Sequence, residues 1–451
     1  MRIVVIGGGP AGYDAAQVAA ELGAEVTLIE ELGMGGACVL WDCVPSKTVG
    51  ATAEVVGRMG RAPALGLTRT MPALEVDLAT VFARVNLLAS AQSADIKERI
   101  EQAGVRIVSG SARFVDKRTV TVGEETFTAD AVLIATGSSP RVLESAQPDG
   151  KRILTARQVY GLETLPSKLV IVGSGATGAE FASAFNLLGS EVTLVSSRDR
   201  VLPGEDADAA RALEAIFARR GMTIVKNARV DGVVATADGV IVTLQDGTTI
   251  EGTHALMTVG QVPNSASLGL ENAGVRVGVG AEIPVDGVSR TNVSHIYAAG
   301  DVVGGVMLAS VASMQGRIAM WHALGQAVQP LRTDAIAATV FTEPEIATVG
   351  LDESTARERG INVRTIVMPY ETNARAKMVG LTDGFVKIVC GARSEQVLGA
   401  IIVAPHASDL IVPLSIAVHA KLPVEDVARA FAVYPSFGGT IQEAARRLMA
   451  R

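Results

Sequence analysis

Residues Ile3–Glu30 read IVVIGGGPAGYDAAQVAAELGAEVTLIE, and residues Leu169–Ser196 read LVIVGSGATGAEFASAFNLLGSEVTLVS. The second stretch repeats the first at a constant offset of 166 residues: Gly7, Gly9, Gly12 and Gly23 fall on Gly173, Gly175, Gly178 and Gly189, and Glu25–Leu28 falls on the identical Glu191–Leu194. Each copy runs from an apolar β-branched segment through G-x-G-x-x-G into an alanine-rich segment ending at Leu-Gly, then into a second apolar segment, the pattern of a β-α-β unit. One such glycine motif is weak evidence, because glycine turns occur in unrelated α/β structure. Two in the required strand-turn-helix-strand setting point to two Rossmann-like nucleotide-binding folds. The first glycine of each set allows a tight turn, the second lets the backbone approach a pyrophosphate, and the third lets the helix sit close on the strand with its amides facing the anion. Glu30, 18 residues beyond Gly12, stands where a carboxylate accepts hydrogen bonds from a ribose diol.

The rest of the chain frames these units. At 451 residues it has length for about three domains. A formal charge of -7 gives no global basic field, so nucleic acid is not an expected partner. Three cysteines, Cys38, Cys43 and Cys390, are too few for a secreted disulfide framework, and a cytoplasmic location is expected. The nearest thing to a membrane span, the uncharged stretch 302–316 rich in Gly and Ser, has fifteen residues, below the ~18 apolar residues that a span needs. Further elements are expected as a helix over 73–103, a hairpin strand pair over 113–129, a short buried strand over 130–135, strands at 385–389 and 397–403, and helices at 408–419 and 424–430. The section beyond Leu331 carries no nucleotide fingerprint and reads as a separate α+β domain.

Directly after Glu30 lies Gly35-Gly36-Ala37-Cys38-Val39-Leu40-Trp41-Asp42-Cys43-Val44-Pro45-Ser46-Lys47. Cysteines five apart can meet as a disulfide when the start of a helix folds back, and a helix N-terminus favours the thiolate after reduction. Zinc is a rival reading, but no second cysteine pair or nearby histidine supplies the remaining ligands, and no metal is expected. Two unreactive core thiols are the other alternative.

Taken together, these motifs resemble the flavoprotein pyridine nucleotide-disulfide oxidoreductases, which include dihydrolipoamide dehydrogenase, glutathione reductase, mercuric reductase and soluble transhydrogenase. The likeness continues through Ala135-Thr136-Gly137, Gly260-Gln261-Val262-Pro263-Asn264, Ile296-Tyr297-Ala298-Ala299-Gly300-Asp301 and Thr342-Glu343-Pro344-Glu345-Ile346-Ala347. It implies an FAD-binding domain over 1–150 and 271–330, an NAD(P)-binding domain over 151–270, and an interface domain over 331–451 that makes a homodimer. The resemblance assigns FAD to Gly7, Gly9, Gly12, Glu30, Lys47, Thr136, Gly137, Asp301 and Ala309. It assigns the nicotinamide nucleotide to Gly173, Gly175, Gly178, Ser196, Arg198, Val230 and Gly260. Catalytic roles fall on Cys38, Cys43, Lys47, paired with Glu180 beside the flavin, and Tyr434, with hydride passing from NADPH or NADH to the flavin.

Two departures from the family pattern shape the functional expectation. NADH-specific members carry an acidic residue at the end of the second unit, where this chain has Ser196-Ser197-Arg198-Asp199-Arg200. Without that carboxylate, and with Arg198 and Arg200 close by, acceptance of a 2′-phosphate is expected. Thiol-exchanging relatives end in a His-Pro-Thr-Leu-Ser-Glu stretch whose histidine and glutamate move protons for a dithiol. Here the aligned stretch is Tyr434-Pro435-Ser436-Phe437-Gly438-Gly439, and a phenol with an ordinary pKa near 10 replaces imidazole poorly. The expectation is therefore an enzyme that passes electrons to a diffusible acceptor, a quinone by elimination. The alternatives are soluble transhydrogenase, a disulfide reductase using Tyr434 or water, and a non-catalytic redox sensor.

Overall fold

The computed structural model describes residues 1–67 and 75–449. Close packing divides the chain into two units: Met1–Thr48 with Thr80–Arg141 and Gly260–Leu331, and Val49–Ala79 with Val142–Val259 and Arg332–Arg451.

The first unit is built on a five-stranded parallel sheet in the order Ile296–Ala298, Ala131–Ile134, Arg2–Ile6, Glu25–Glu30, Arg106–Ser109. The central strands are near-continuous Val, Ile and Leu because a parallel sheet is covered on both faces; Ala131–Ile134 is buried throughout. Helix Pro10–Glu21 follows the first strand, and helix Ala309–Ala323 lies against it so closely that a Cβ on Gly316 would stand 2.2 Å from the Ala11 carbonyl oxygen. Glycine is required at that crossing. The helix expected over 73–103 runs Leu78–Gln102; residues 73 and 74 lie outside the described residues. Where a hairpin pair was expected, three antiparallel strands form a meander, Ala112–Phe114, Thr119–Val122 and Glu125–Thr128.

In the second unit the parallel order is Thr223–Val225, Glu191–Val195, Lys168–Val172, His254–Met257, Ile153–Thr155. Four of the five positions reproduce the first sheet. The fifth strand does not: it comes from residues before the glycine turn in the second unit and from far beyond it in the first. An antiparallel sheet, in the order Ala337–Val340, Glu345–Gly350, Val397–Ala404, Phe385–Gly391, Val363–Pro369, completes the second unit. The helix expected at 408–419 is two helices, Ala407–Leu410 and Val412–Ala420, interrupted at Ile411 just before Pro413. A further amphipathic helix, Gly438–Met449, covers this sheet. Among the described residues, no helix is long and apolar enough to cross a membrane.

Candidate active site

The two glycine turns are near-identical in shape. Gly7 and Gly173 take φ of 105° and 110°, and a Cβ on Gly12 or Gly178 would fall 1.8 or 1.9 Å from the carbonyl oxygen of Gly7 or Gly173. No side chain fits there. Gly9 and Gly175 cap their helices in an extended conformation. Nothing stands within 4 Å of a Cβ on Gly175, and only the Gly36 Cα comes that near on Gly9, so both turns leave room for a phosphate at a helix N-terminus.

In the first unit Glu30 organises the end of its strand. Its Oε2 accepts from the Gly8 amide at 2.5 Å, and its Oε1 from the Leu32 and Gly33 amides at 2.6 and 3.1 Å. Asp301 opens a 3-10 turn after Gly300 and accepts a hydrogen bond from Ser138 Oγ at 2.8 Å. Burial and the Asp42 charge raise its carboxyl above the usual range, against that bond. Ala309 is the first residue of its fifteen-residue helix. The Thr136 hydroxyl is engaged by the Asn264 carbonyl at 2.7 Å, while the Asn264 amide returns to the Gly137 carbonyl at 3.0 Å. These two residues therefore clamp neighbouring segments of the first unit.

Cys38 lies in the short helix Gly36–Leu40 and Cys43 begins the helix Cys43–Arg61, so the chain folds back between them. No disulfide joins them in this structure, and both are half-buried. The Cys43 thiol donates to the Cys38 sulfur, which draws the Cys38 thiol below its ordinary range despite burial, and the same contact with burial pushes Cys43 upward. The sulfurs titrate as a pair that gives up one proton readily and holds the second. Lys47, one turn along the helix, favours the thiolate form of both sulfurs and Asp42 opposes it. Asp42 was not singled out from the sequence. Asp42 is exposed as a residue, yet the protein around its carboxyl raises it above its ordinary value, against the pull of Lys47.

These residues suit FAD on one further observation: Ser46 Oγ, in the redox segment, is buried with no hydrogen-bond partner in the protein. A buried hydroxyl left alone costs free energy, so a polar group from outside the chain is called for. Among the described residues, no group of three or more His, Cys, Asp or Glu side chains is arranged to hold a metal.

The second turn differs in detail from expectation. Ser196 is fully buried, and its hydroxyl accepts from Ser174 Oγ at 2.8 Å and the Arg198 amide at 3.1 Å while donating to the Arg200 carbonyl at 3.0 Å. The Arg198 side chain is exposed beside it. Arg200 is not poised for phosphate: its guanidinium turns back to the Pro203 and Glu205 carbonyls because the chain reverses there. Gly260, expected at the nucleotide, opens the segment that returns to the first unit, its carbonyl accepting from the Arg141 amide at 2.9 Å. Val230 starts a strand paired with Leu244. Glu180 accepts from the Phe341 amide at 2.9 Å. Tyr434 is 85% exposed, in a loop bordering an open cavity of about 460 Å³ that Asn373, Ser436, Glu443 and Arg446 also line.

The sequence profile of the pyridine nucleotide-disulphide oxidoreductases matches residues 1–316, and that of their dimerisation domain matches residues 336–445. The chain belongs to this family. It is an FAD-dependent oxidoreductase that uses NAD(P)H. It is 52% identical to a Mycobacterium tuberculosis protein named NAD(P)H dehydrogenase (quinone), over 100% of this chain and 94% of that one. It is 35% identical to a dihydrolipoyl dehydrogenase of Zymomonas mobilis, over 98% and 96% of the two chains. The crystal structure of LpdA from Mycobacterium tuberculosis superimposes with a TM-score of 0.95 at 51% identity, covering 100% of both chains.

Proposed function

We propose that this enzyme carries electrons from NADPH, and from NADH, to a quinone. The observation that carries the reading is the pairing of an intact FAD cradle with Tyr434 and Gly439 at the positions where dithiol-exchanging relatives hold their acid-base pair. Tyr434 is a phenol and Gly439 has no side chain, so the two positions lack the imidazole and carboxylate that relay protons for a dithiol. A planar acceptor that meets reduced flavin directly needs none. The name of the Mycobacterium tuberculosis relative supports the same acceptor class.

In this reading Gly7–Gly12 and the helix they begin hold the pyrophosphate, Glu30 orients the ribose, and Asp301 and Ser46 meet polar groups nearer the flavin. Lys47, which the resemblance pairs with Glu180, sets a positive charge where negative charge develops on reduction. Bound there, FAD supplies the capacity to take a hydride and release two electrons. The second turn holds the nucleotide pyrophosphate and Arg198 meets a 2′-phosphate. The proposal includes a cytoplasmic homodimer, with FAD on 1–150 and 271–330, nucleotide on 151–270 and the subunit interface on 331–451. Steady-state turnover of the FAD-loaded enzyme with NADPH or NADH, supplied in turn with a soluble benzoquinone, lipoamide or thio-NAD, tests it. Fast quinone reduction with negligible lipoamide turnover is expected; efficient lipoamide turnover with inert quinone would overturn it.

A further inference from the structure

The duplication allows each residue of one glycine turn to be compared with its counterpart in the other. Position 8 corresponds to 174, 30 to 196 and 32 to 198. The bond from the residue-32 amide to Glu30 Oε1 at 2.6 Å has its counterpart in the bond from the residue-198 amide to Ser196 Oγ at 3.1 Å, so the two strand ends share one backbone design. Their side chains do not. In the first turn the carboxylate has space because position 8 is glycine: a Cβ there would lie 3.0 Å from Glu30 Oε2 and 3.2 Å from its Cγ. In the second turn position 174 is serine, only 6% exposed, and its hydroxyl is bonded to the fully buried Ser196.

We propose that Ser174 is a specificity-determining residue for the nicotinamide nucleotide. Its side chain occupies the space that Gly8 leaves open to Glu30, and its bond to Ser196 ties down the loop that presents Arg198. The second turn is thereby closed to a ribose-binding carboxylate and shaped for a 2′-phosphorylated nucleotide. This rests on the reading that the second turn binds the nicotinamide nucleotide. Replacing Ser196 alone by glutamate puts a carboxylate against the Ser174 side chain, in a turn whose first-unit counterpart holds its carboxylate beside a glycine. Conversion toward NADH requires both positions to change.

The test measures dissociation constants of NADPH and NADH on FAD-loaded S196E, S174G, S174A/S196E and S174G/S196E proteins, with FAD content checked for each. A misfit of one methylene-sized group is worth roughly 10-fold or more in a close-fitting site. The expected result is that S196E weakens NADPH without tightening NADH, and that S174G/S196E raises the NADH-to-NADPH preference at least ~10-fold above S196E, with S174A/S196E between them. If S196E alone reaches the preference of S174G/S196E, Ser174 is not a determinant and the proposal is overturned while the site reading stands. If no variant changes either constant, the proposal and the reading beneath it both fall.

Discussion

Replacing Lys387 by methionine should destabilise the second unit far more than an ordinary surface change. Lys387 lies in the fully buried strand Phe385–Gly391 with its side chain 5% exposed, and its Nζ meets Asp206 Oδ2 at 2.7 Å and Asp208 Oδ2 at 2.8 Å. Methionine keeps the length and removes the charge, leaving the 6%-exposed Asp206 carboxylate facing an apolar tip. Breaking one side of a buried pair costs about 3–5 kcal/mol. Asp206 keeps part of its stabilisation, because its Oδ1 still caps helix Ala207–Arg219 through the Asp208 and Ala209 amides at 2.9 and 3.2 Å. Asp208, 37% exposed, keeps Arg211. The lower end, about 3 kcal/mol, follows. At roughly 2–4 °C per kcal/mol, Tm should fall by about 6–12 °C. Burial alone would lower the Lys387 pKa, but its bonds to Asp206 and Asp208 raise it, while the Lys387 bond is the leading cause of a depressed Asp208. The raised lysine contributes fully below its ordinary 10.5 and loses its contribution as pH rises through the elevated value. The depressed aspartate contributes above its ordinary 3.8 and loses its contribution as pH falls through the lowered value. The gap between wild type and K387M should therefore be widest between those limits and narrow in acid. Adding D206N and D208N to K387M should recover most of the loss, since asparagine still caps and no charge is stranded. Urea unfolding followed by circular dichroism decides it: a K387M protein within 1 kcal/mol of wild type near neutrality, with no change in the gap in acid, would refute the reasoning.

Gly12→Ala should isolate with little FAD, because its Cβ has nowhere to go beside the Gly7 carbonyl, whereas Gly178→Ala should retain FAD and lose nucleotide affinity; the ratio of flavin to protein absorbance and nucleotide titration separate the two, and equal flavin loss in both would contradict the assignment of the turns. Asp42→Asn removes a charge that opposes thiolate formation, so the reduced pair should be alkylated by iodoacetamide faster at neutral pH than in wild type; an unchanged or slower rate would count against it. Cys43→Ser should keep its FAD and most of its quinone turnover, since direct electron transfer uses neither sulfur; loss of quinone activity with FAD in place would exclude that route.

The parts of the fold that were legible from sequence are those where one residue type alone is sterically possible. Gly7 and Gly12, like Gly173 and Gly178, leave no room for a Cβ, so their spacing betrays the turns. The buried strand at 131–134 shows itself as an unbroken apolar run. By contrast Glu125–Thr128, mostly exposed, lacks the alternation that marks a strand and was absorbed into a hairpin pair. Arg200 looks like a phosphate ligand until the turn just after it brings the Pro203 and Glu205 carbonyls, three and five residues on, to its guanidinium, a local contact that the residue type alone does not announce. Asp42 is one acid between two motif residues, and nothing periodic distinguishes it. The Gly8 and Ser174 difference was visible in the aligned repeats, but its meaning needed the Glu30 and Ser196 contacts.

The unequal origin of the fifth strand bears on how the chain matures during synthesis. The second unit's parallel sheet draws all its strands from one continuous run, 153–257, and can close as soon as that run is made. The first sheet waits for Ile296–Ala298, and its glycine turn waits further for the helix Ala309–Ala323 that covers it. Asp301 arrives in the same late segment. The strands at 2–6 and 25–30, made well before the second unit, are thus among the last to settle, and a nascent chain can acquire a finished nicotinamide fold while its flavin fold is still open.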